Sequence, residues 1–346
     1  MKLINLLQED ISKIKQPVGG LIPNEVSKNA HILGANPIQL EAINPSGQWT
    51  DVEIKTEIQK LANGEDTYMC VNFSTNNVRE LIHKFRYNEE INFSDIYSGI
   101  LTGTRPNRGN SFENVFEITR KKFCAWETEM PLDLNTTLSE VYDTVITDNL
   151  RKVVELRGEK YELRYQFLKQ STPQVIKYGL KVSPVTVAVE GRYNWRNGKI
   201  VNSGSGYNHA VVIIGYVEND CWYLMDSESL QVLKFDWNYK FAFTAVHSIK
   251  KLNMITTYKK HGDPTICVKK ENEDAMIAFA DGDIDGGTLF KSLYDCEYKD
   301  LPRVYVEEWQ FPIKYWIYSK EVAQGEVVEV IKPNTFLQKL IYLFTK

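Results

Sequence analysis

At 346 residues, with 43% hydrophobic and 25% charged side chains, the chain has the composition of a globular protein of one large domain or two smaller ones. A net charge of −4 gives no electrostatic footing for nucleic acid or an anionic membrane surface. No stretch approaches the roughly 20 apolar residues that span a bilayer, and MKLINLLQEDISKIKQ lacks the apolar run of a secretory signal.

Residues 1–50, rich in Pro, Gly and Asn (PVGGLIPNEV, GANPIQ, NPSGQW), read as an extended arm with one short helix near Leu3–Ile14. After Cys70, apolar Phe73, Val78, Leu81, Ile82 and Phe85 recur near helical spacing and predict a core helix over 69–86. The loop LTGTRPNRGN leads into SFENVFEITRKK, where Phe112, Val115, Phe116 and Thr119 mark a second helical face. A third helix is expected over 139–156 and a short fourth in TPQVIKYGL. The pattern then changes to β-branched and aromatic runs: SPVTVAVEG, HAVVIIGYV, CWYLMDS, QVLKFDW and AFTAVHSI. A helical half followed by a β-rich half predicts an α+β arrangement. The basic stretch YKKHGDPT (258–265) looks like a boundary, and ICVKK, MIAFAD and VYVEEW beyond it suggest a small second unit.

Cys70 carries the chemical question. In EDTYMCVNFSTNN it stands where polar turn-formers give way to the helix. A helix N-terminus stabilises a thiolate through its unpaired N–H groups, while an inert core thiol is the plainer alternative. The five cysteines, at 70, 124, 221, 267 and 296, are odd in number and scattered without a CxxC pair. They read as free thiols of a reducing compartment. A thiol nucleophile needs a base, and the base an orienting group. Of His31, His83, His209, His247 and His261, His209 opens a strong strand after a glycine- and serine-rich turn. CWYLMDS delivers Asp226 seventeen residues later, and if the two strands pair as a hairpin the carboxylate lies beside the imidazole.

These segments together resemble the papain-like cysteine peptidases over roughly residues 45–250. CVNFS resembles the family's CWAFS helix start, RGNSFENVFEITRKK its loop-and-helix segment, SPVTVAVEG…NHAVVIIGY its PVSVAI…NHAVLIVGY, and YLMDS its YWLIKNSWG. The spacing agrees: 209 − 70 = 139 lies inside the usual ~130–150-residue interval, and 226 − 70 = 156 falls slightly beyond it. The resemblance implies a two-lobe fold, a helical lobe plus a β-barrel-like lobe. Its domains would be an arm over 1–50, a peptidase domain over 51–258 and an accessory region over 263–346. It implies Cys70 as nucleophile, His209 as its ion-pair partner and Asp226 in the place of the family's orienting asparagine. It further implies an oxyanion hole from the Cys70 N–H and a glutamine, for which Gln59 is the nearest candidate, with Asn63 a neighbouring alternative. Gly109 and Asn110 match the loop that pairs with substrate backbone. Ala188 and Ala210 match the pocket for the second residue before the cut, roomy enough for a bulky apolar or aromatic side chain.

The sequence departs from the family in places. Residue 64 is glycine where the family keeps its glutamine, Thr67 and Asn107 replace a disulfide pair, and Glu228 replaces a shielding tryptophan. With 69 residues before Cys70, the arm is shorter than the inhibitory propeptide of lysosomal relatives and is expected to brace the domain. The start EDTYMCVNFS is similar to peptidases of bacteriophage genomes, so a cytoplasmic or virion-associated protein is expected. DGDIDGG (281–287) begins like a calcium loop, but Ser292 stands where the bidentate glutamate belongs, and a turn is expected. TFLQKLIYLFTK is expected to pack on its own domain, with docking to a protein partner the alternative. The expected activity is peptide-bond hydrolysis of a protein or peptide substrate, with no metal or cofactor. The alternatives are an amidase or transferase using the same residues, or a catalytically inactive binding or virion structural module.

Overall fold

The computed structural model describes residues 2–8, 10, 16–17, 19–23, 40–55, 57–228 and 231–252, together with the backbone of six short strands at 32–33, 255–259, 265–269, 304–308, 313–317 and 326–330. The expectations for DGDIDGG, MIAFAD and TFLQKLIYLFTK lie outside the described residues. The chain divides into two compact units, Met1–Lys250 and Lys251–Lys346.

In the first unit, helix α1 (Cys70–Tyr87) is buried over its first fourteen residues, Cys70 to His83. Its buried polar side chains find partners, as they must away from water. Asn72 donates to the Thr102 hydroxyl at 3.1 Å, and Asn76 donates to Asp95 at 2.8 Å and Ser98 at 3.2 Å. The helix stops at Asn88, which takes a left-handed conformation (φ 53°) and turns its N–H onto the carbonyls of His83 and Lys84. Helices α2 (Asp95–Leu101), α3 (Phe112–Lys122), α4 (Leu138–Asp143) and α5 (Asp148–Gly158) begin at Ser94, Ser111, Thr137 and Thr147, each accepting a first-turn N–H. The continuous helix expected over 139–156 is thus two helices. Thr144 leaves helical geometry and Thr147 caps the next segment. The β-branched run Thr144-Val145-Ile146-Thr147 favours extended backbone, while buried Ile146 keeps the apolar pattern running through the break.

Strands β1 (Ile32–Leu33), β2 (Tyr161–Leu168), β3 (Val185–Glu190), β4 (Asn194–Arg196), β5 (Lys199–Val201), β6 (Tyr207–Val217), β7 (Cys221–Asp226), β8 (Gln231–Asp236) and β9 (Ala242–Lys251) form one mixed sheet. Their order is β1-β2-β9-β3-β6-β7-β8-β5-β4. Helix α6 (Pro173–Val182) leads into β3, and α1 packs against β6 and β3. The architecture is α+β, with helices gathered in residues 70–158 and the sheet mainly in 161–251. α2, β2 and the β4–β5 hairpin had no clear sequence signal.

In the second unit β10 (Ile255–Lys259) pairs antiparallel with both β11 (Thr265–Lys269) and β14 (Glu326–Val330). β12 (Val304–Glu308) pairs with β13 (Ile313–Ile317). YKKHGDPT, read from sequence as a boundary, therefore runs from β10 into β11, and the division between units falls at Lys250/Lys251.

The arm is built into the first unit at two places. Near its start, Leu3 is buried, Ile4 donates to the Thr50 carbonyl at 3.0 Å, and Leu7 pairs with Val232 of β8. Near its end, Trp49 is fully buried between α6 and β6. Its indole N–H reaches the Leu180 carbonyl at 2.8 Å and its backbone N–H the Ile214 carbonyl at 2.7 Å. Trp49→Ala should lower unfolding free energy by about 3–5 kcal/mol, the usual cost of emptying a buried aromatic site. Urea denaturation of the two proteins measures it.

Candidate active site

The segment before α1 is a tight hairpin. Lys60 bridges Asp66, Leu61 donates to the Glu65 carbonyl at 2.9 Å, and Gly64 turns at φ 88°. The loop LANGEDT therefore goes out and returns, bringing Gln59 back beside Thr67, whose N–H donates to the Gln59 carbonyl at 3.2 Å. The Asp66 carboxylate accepts the Tyr68 N–H at 2.5 Å, and Tyr68 itself sits at φ 59°. That conformation is costly for a non-glycine residue and places strain two residues before Cys70. The Tyr68 hydroxyl donates to Asn107 at 2.8 Å. Cys70 follows as the first residue of α1, while the N–H groups of Asn72 and Phe73 already donate to the Met69 carbonyl at 2.8 and 3.0 Å.

The β6–β7 hairpin delivers the other two groups. Val212 faces Met225, so Asp226 stands across from Val211 and shares a face with His209 two residues away. The Nε2 atom of His209 lies 2.9 Å from Asp226 Oδ1, both residues essentially without solvent exposure. The Tyr193 hydroxyl donates to Asp226 Oδ2 at 2.8 Å, and the Glu228 N–H to Oδ1 at 3.0 Å. Burial works against a charged imidazole, but the charge and hydrogen bond of Asp226 override it and hold His209 well above its ordinary pKa. Asp226 is held below its usual value: burial opposes its charge, and His209 with the Glu228 N–H and the Tyr193 hydroxyl prevails. The Cys70 thiol interacts with the imidazole, whose buried Nδ1 makes no hydrogen bond. Burial pushes its pKa up, His209 and the Ala210 backbone pull it down, and burial wins.

Gln59 is fully buried, but its amide is engaged. Nε2 donates to Asp66 Oδ2 at 3.1 Å and to Glu228 Oε1 at 2.8 Å, and Oε1 accepts from the Ser227 hydroxyl at 2.8 Å. Both amide hydrogens go to carboxylates rather than into the cleft. Asn63, the sequence alternative, is exposed and donates to Glu65 at 2.7 Å. Glu228 is fully buried where the family's shielding tryptophan was expected, with Lys60 Nζ 2.6 Å from its Oε2. Tyr193, Asp66 and Lys60 carried no signal in the sequence, because each joins the site through backbone routes that only the folded chain defines.

Gly109, Asn110, Ala188 and Ala210 all lie near the chain's own arm at Gly20–Ile22. Asn110 donates its N–H to the Gly20 carbonyl at 2.8 Å and accepts from the Ile22 N–H at 2.7 Å. Gly20 and Leu21 both donate to the Asn208 carbonyl at 2.9 Å. The Leu21 side chain is buried in one apolar cluster with Cys70, Val71, Ala188 and Ala210. A Cβ on Gly20 would sit 2.6 Å from the Tyr68 carbonyl oxygen and 3.1 Å from the Cys70 sulfur, and one on Gly109 would sit 1.6 Å from the Gly20 oxygen. The expectation that the arm merely braces the domain misses this contact, since PVGGLIP reads as turn residues until its partners are known.

No family profile and no curated protein matches this chain. Its fold is similar to several solved cysteine proteases. The cysteine protease and lectin-like domains of a surface layer associated protein of Clostridium difficile align with TM-score 0.49 and 13% identity, covering 70% of this chain and 62% of that one. Bromelain from Ananas comosus aligns with TM-score 0.44 and 16% identity, over 59% of this chain and 98% of that one. A digestive procathepsin L of Tenebrio molitor larval midgut aligns with TM-score 0.41 and 15% identity, over 71% of this chain and 77% of that one.

Burial, with the charges of Asp66 and Asp226 nearby, raises Glu228 to about 7, against the pull of His209. A carboxyl whose folded pKa is raised loses stability as the unfolded chain ionises first, from its ordinary value near 4.5 up to about 7. Glu228→Gln removes that loss. Thermal melting against pH should show the variant gaining on the parent through this window, with the gain complete above pH 7 and absent near pH 4.

Proposed function

We propose that the protein is a papain-like cysteine endopeptidase, hydrolysing peptide bonds with Cys70, His209 and Asp226. The observation that carries this reading is the buried imidazole held at Nε2 by Asp226, 2.9 Å away, with a thiol at a helix N-terminus on its other side. In this reading His209 takes the Cys70 proton and the thiolate attacks the scissile carbonyl. The imidazolium then protonates the leaving amine, and water releases the acyl group from sulfur by the reverse proton path. Asp226 fixes the ring's tautomer and stabilises its positive form.

The developing oxyanion is assigned first to the Cys70 N–H. Gln59 joins it by exchanging one of its carboxylate partners for the oxyanion. Gly109 and Asn110 pair with substrate backbone, and the pocket beside Ala188 and Ala210 takes an apolar side chain, since it accepts the chain's own leucine. A second reading, an amidase or transferase on the same three residues, follows from Asp226 standing where most relatives have asparagine.

Because the arm fills the cleft, the test uses Leu21→Lys as parent. That protein should cleave casein and apolar peptides within the chain, and adding Cys70→Ala should abolish the activity. Asp226→Asn should keep a substantial share, whereas Asp226→Ala should lose at least about tenfold through a disoriented ring. Cys70-dependent release of ammonia from side-chain amides, without backbone cleavage, would favour the second reading. Backbone cleavage that survives Cys70→Ala would remove the first.

A further inference from the structure

The two oxygens of Asp226 are met by unlike donors. Oδ1 accepts from the His209 ring at 2.9 Å and from the Glu228 N–H at 3.0 Å. Oδ2 accepts from the Tyr193 hydroxyl at 2.8 Å. The first two donors come from the facing strand and from the backbone next to Asp226 itself. The third comes from the turn between β3 and β4, 33 residues away. A carboxylate turns about its Cβ–Cγ bond over a broad torsional range, so two donors on one oxygen do not hold it. Without the hydroxyl, Oδ2 would be a buried charged oxygen lacking that donor, and the group would rotate to spread the other two over both oxygens. The imidazole would then lose its fixed bond to Oδ1, and the ring its set direction.

Tyr193 is itself held in place. Its ring is buried, packs edge-on against Phe235 of β8 with centroids 5.8 Å apart, and stands T-shaped to His209 at 6.5 Å. Burial and the charge of Asp226 keep the phenol well above its ordinary pKa, so it stays a donor wherever Asp226 is ionised. We propose that Tyr193 is a positioning residue of the reaction: its hydroxyl locks the Asp226 carboxylate so that Oδ1 stays on His209 Nε2 and the ring's other nitrogen is left to the Cys70 thiol. This rests on the active-site reading above. The lock is needed because a carboxylate has two equivalent acceptors. An amide at residue 226 has a single acceptor oxygen, so the two donors at Oδ1 fix which end faces His209 with or without the phenol.

That difference separates positioning from packing. In the Leu21→Lys parent, Tyr193→Phe, confirmed folded by circular dichroism, should lower kcat about tenfold or more with KM little changed, the scale of one hydrogen bond to a charged group. In an Asp226→Asn background the same substitution should cost less than about threefold, because the neutral amide is oriented by its own asymmetry. Equal losses in both backgrounds would make Tyr193 a packing residue, and no loss in either would deny it a role. Each of these overturns the proposal and leaves the peptidase. If the parent shows no Cys70-dependent hydrolysis, the peptidase reading falls and the ring itself decides. Proton NMR of the unaltered chain should show a downfield, slowly exchanging N–H of His209, assigned by its loss in Asp226→Ala. Tyr193→Phe should broaden it through faster exchange with water. A resonance absent from the unaltered chain, or unchanged by Tyr193→Phe, overturns the proposal.

Discussion

A carboxylate buried against an imidazole sets the terms for the rest of the site. Asp226 has almost no contact with solvent, and an ionised carboxylate there is costly unless its oxygens are fully engaged. Three donors meet that demand: the His209 ring, the Tyr193 hydroxyl and the Glu228 N–H. They come from three different stretches of chain, so the position of Asp226 ties β6, the loop after β3 and the end of β7 together. The same carboxylate holds His209 above its ordinary pKa, while burial pushes the Cys70 thiol up.

A second polar network fixes Asn110 to α1. Asn72, two residues after Cys70, donates to Thr102 and accepts from Thr104 at 2.9 Å, and both threonines accept from the Asn110 side chain. The backbone of Asn110 then holds Gly20 and Ile22. A shift of α1 would move the thiol and Asn110 together. Above this, Gln59 links Ser227, Asp66 and Glu228. Beside them sits a buried acid, Glu228, whose pKa burial raises to about 7. Such an acid makes the surroundings of His209 depend on pH, where an aromatic cover would not.

The strongest sequence signals came from periodicity and from order along the chain. α1, α3, α6 and the strands β3, β6, β7, β8 and β9 were legible because each is long enough for a 3.6- or 2-residue pattern to repeat. The third helix was misread as continuous, since buried Ile146 preserves the apolar phase across a stretch whose threonines favour extended backbone and capping. α2 and β2 lacked clear patterns. The pairing of His209 with Asp226 was readable because an antiparallel hairpin fixes which residues face each other, and Val212 against Met225 follows that rule.

The sequence by itself determined the longer periodic elements, the thiol at a helix start and the hairpin that sets His209 beside Asp226, because these depend on local spacing and nearest-neighbour pairing. Only the tertiary structure decided what surrounds them. Tyr193 reaches Asp226 across 33 residues, Gln59 meets Glu228 across 169, and Leu21 is buried in one apolar cluster with residues 70, 188 and 210. Contacts of that range are set by how the sheet orders its strands and where the arm is tied. A glycine-rich stretch such as PVGGLIP has no preferred shape of its own, so it takes the one its partners impose.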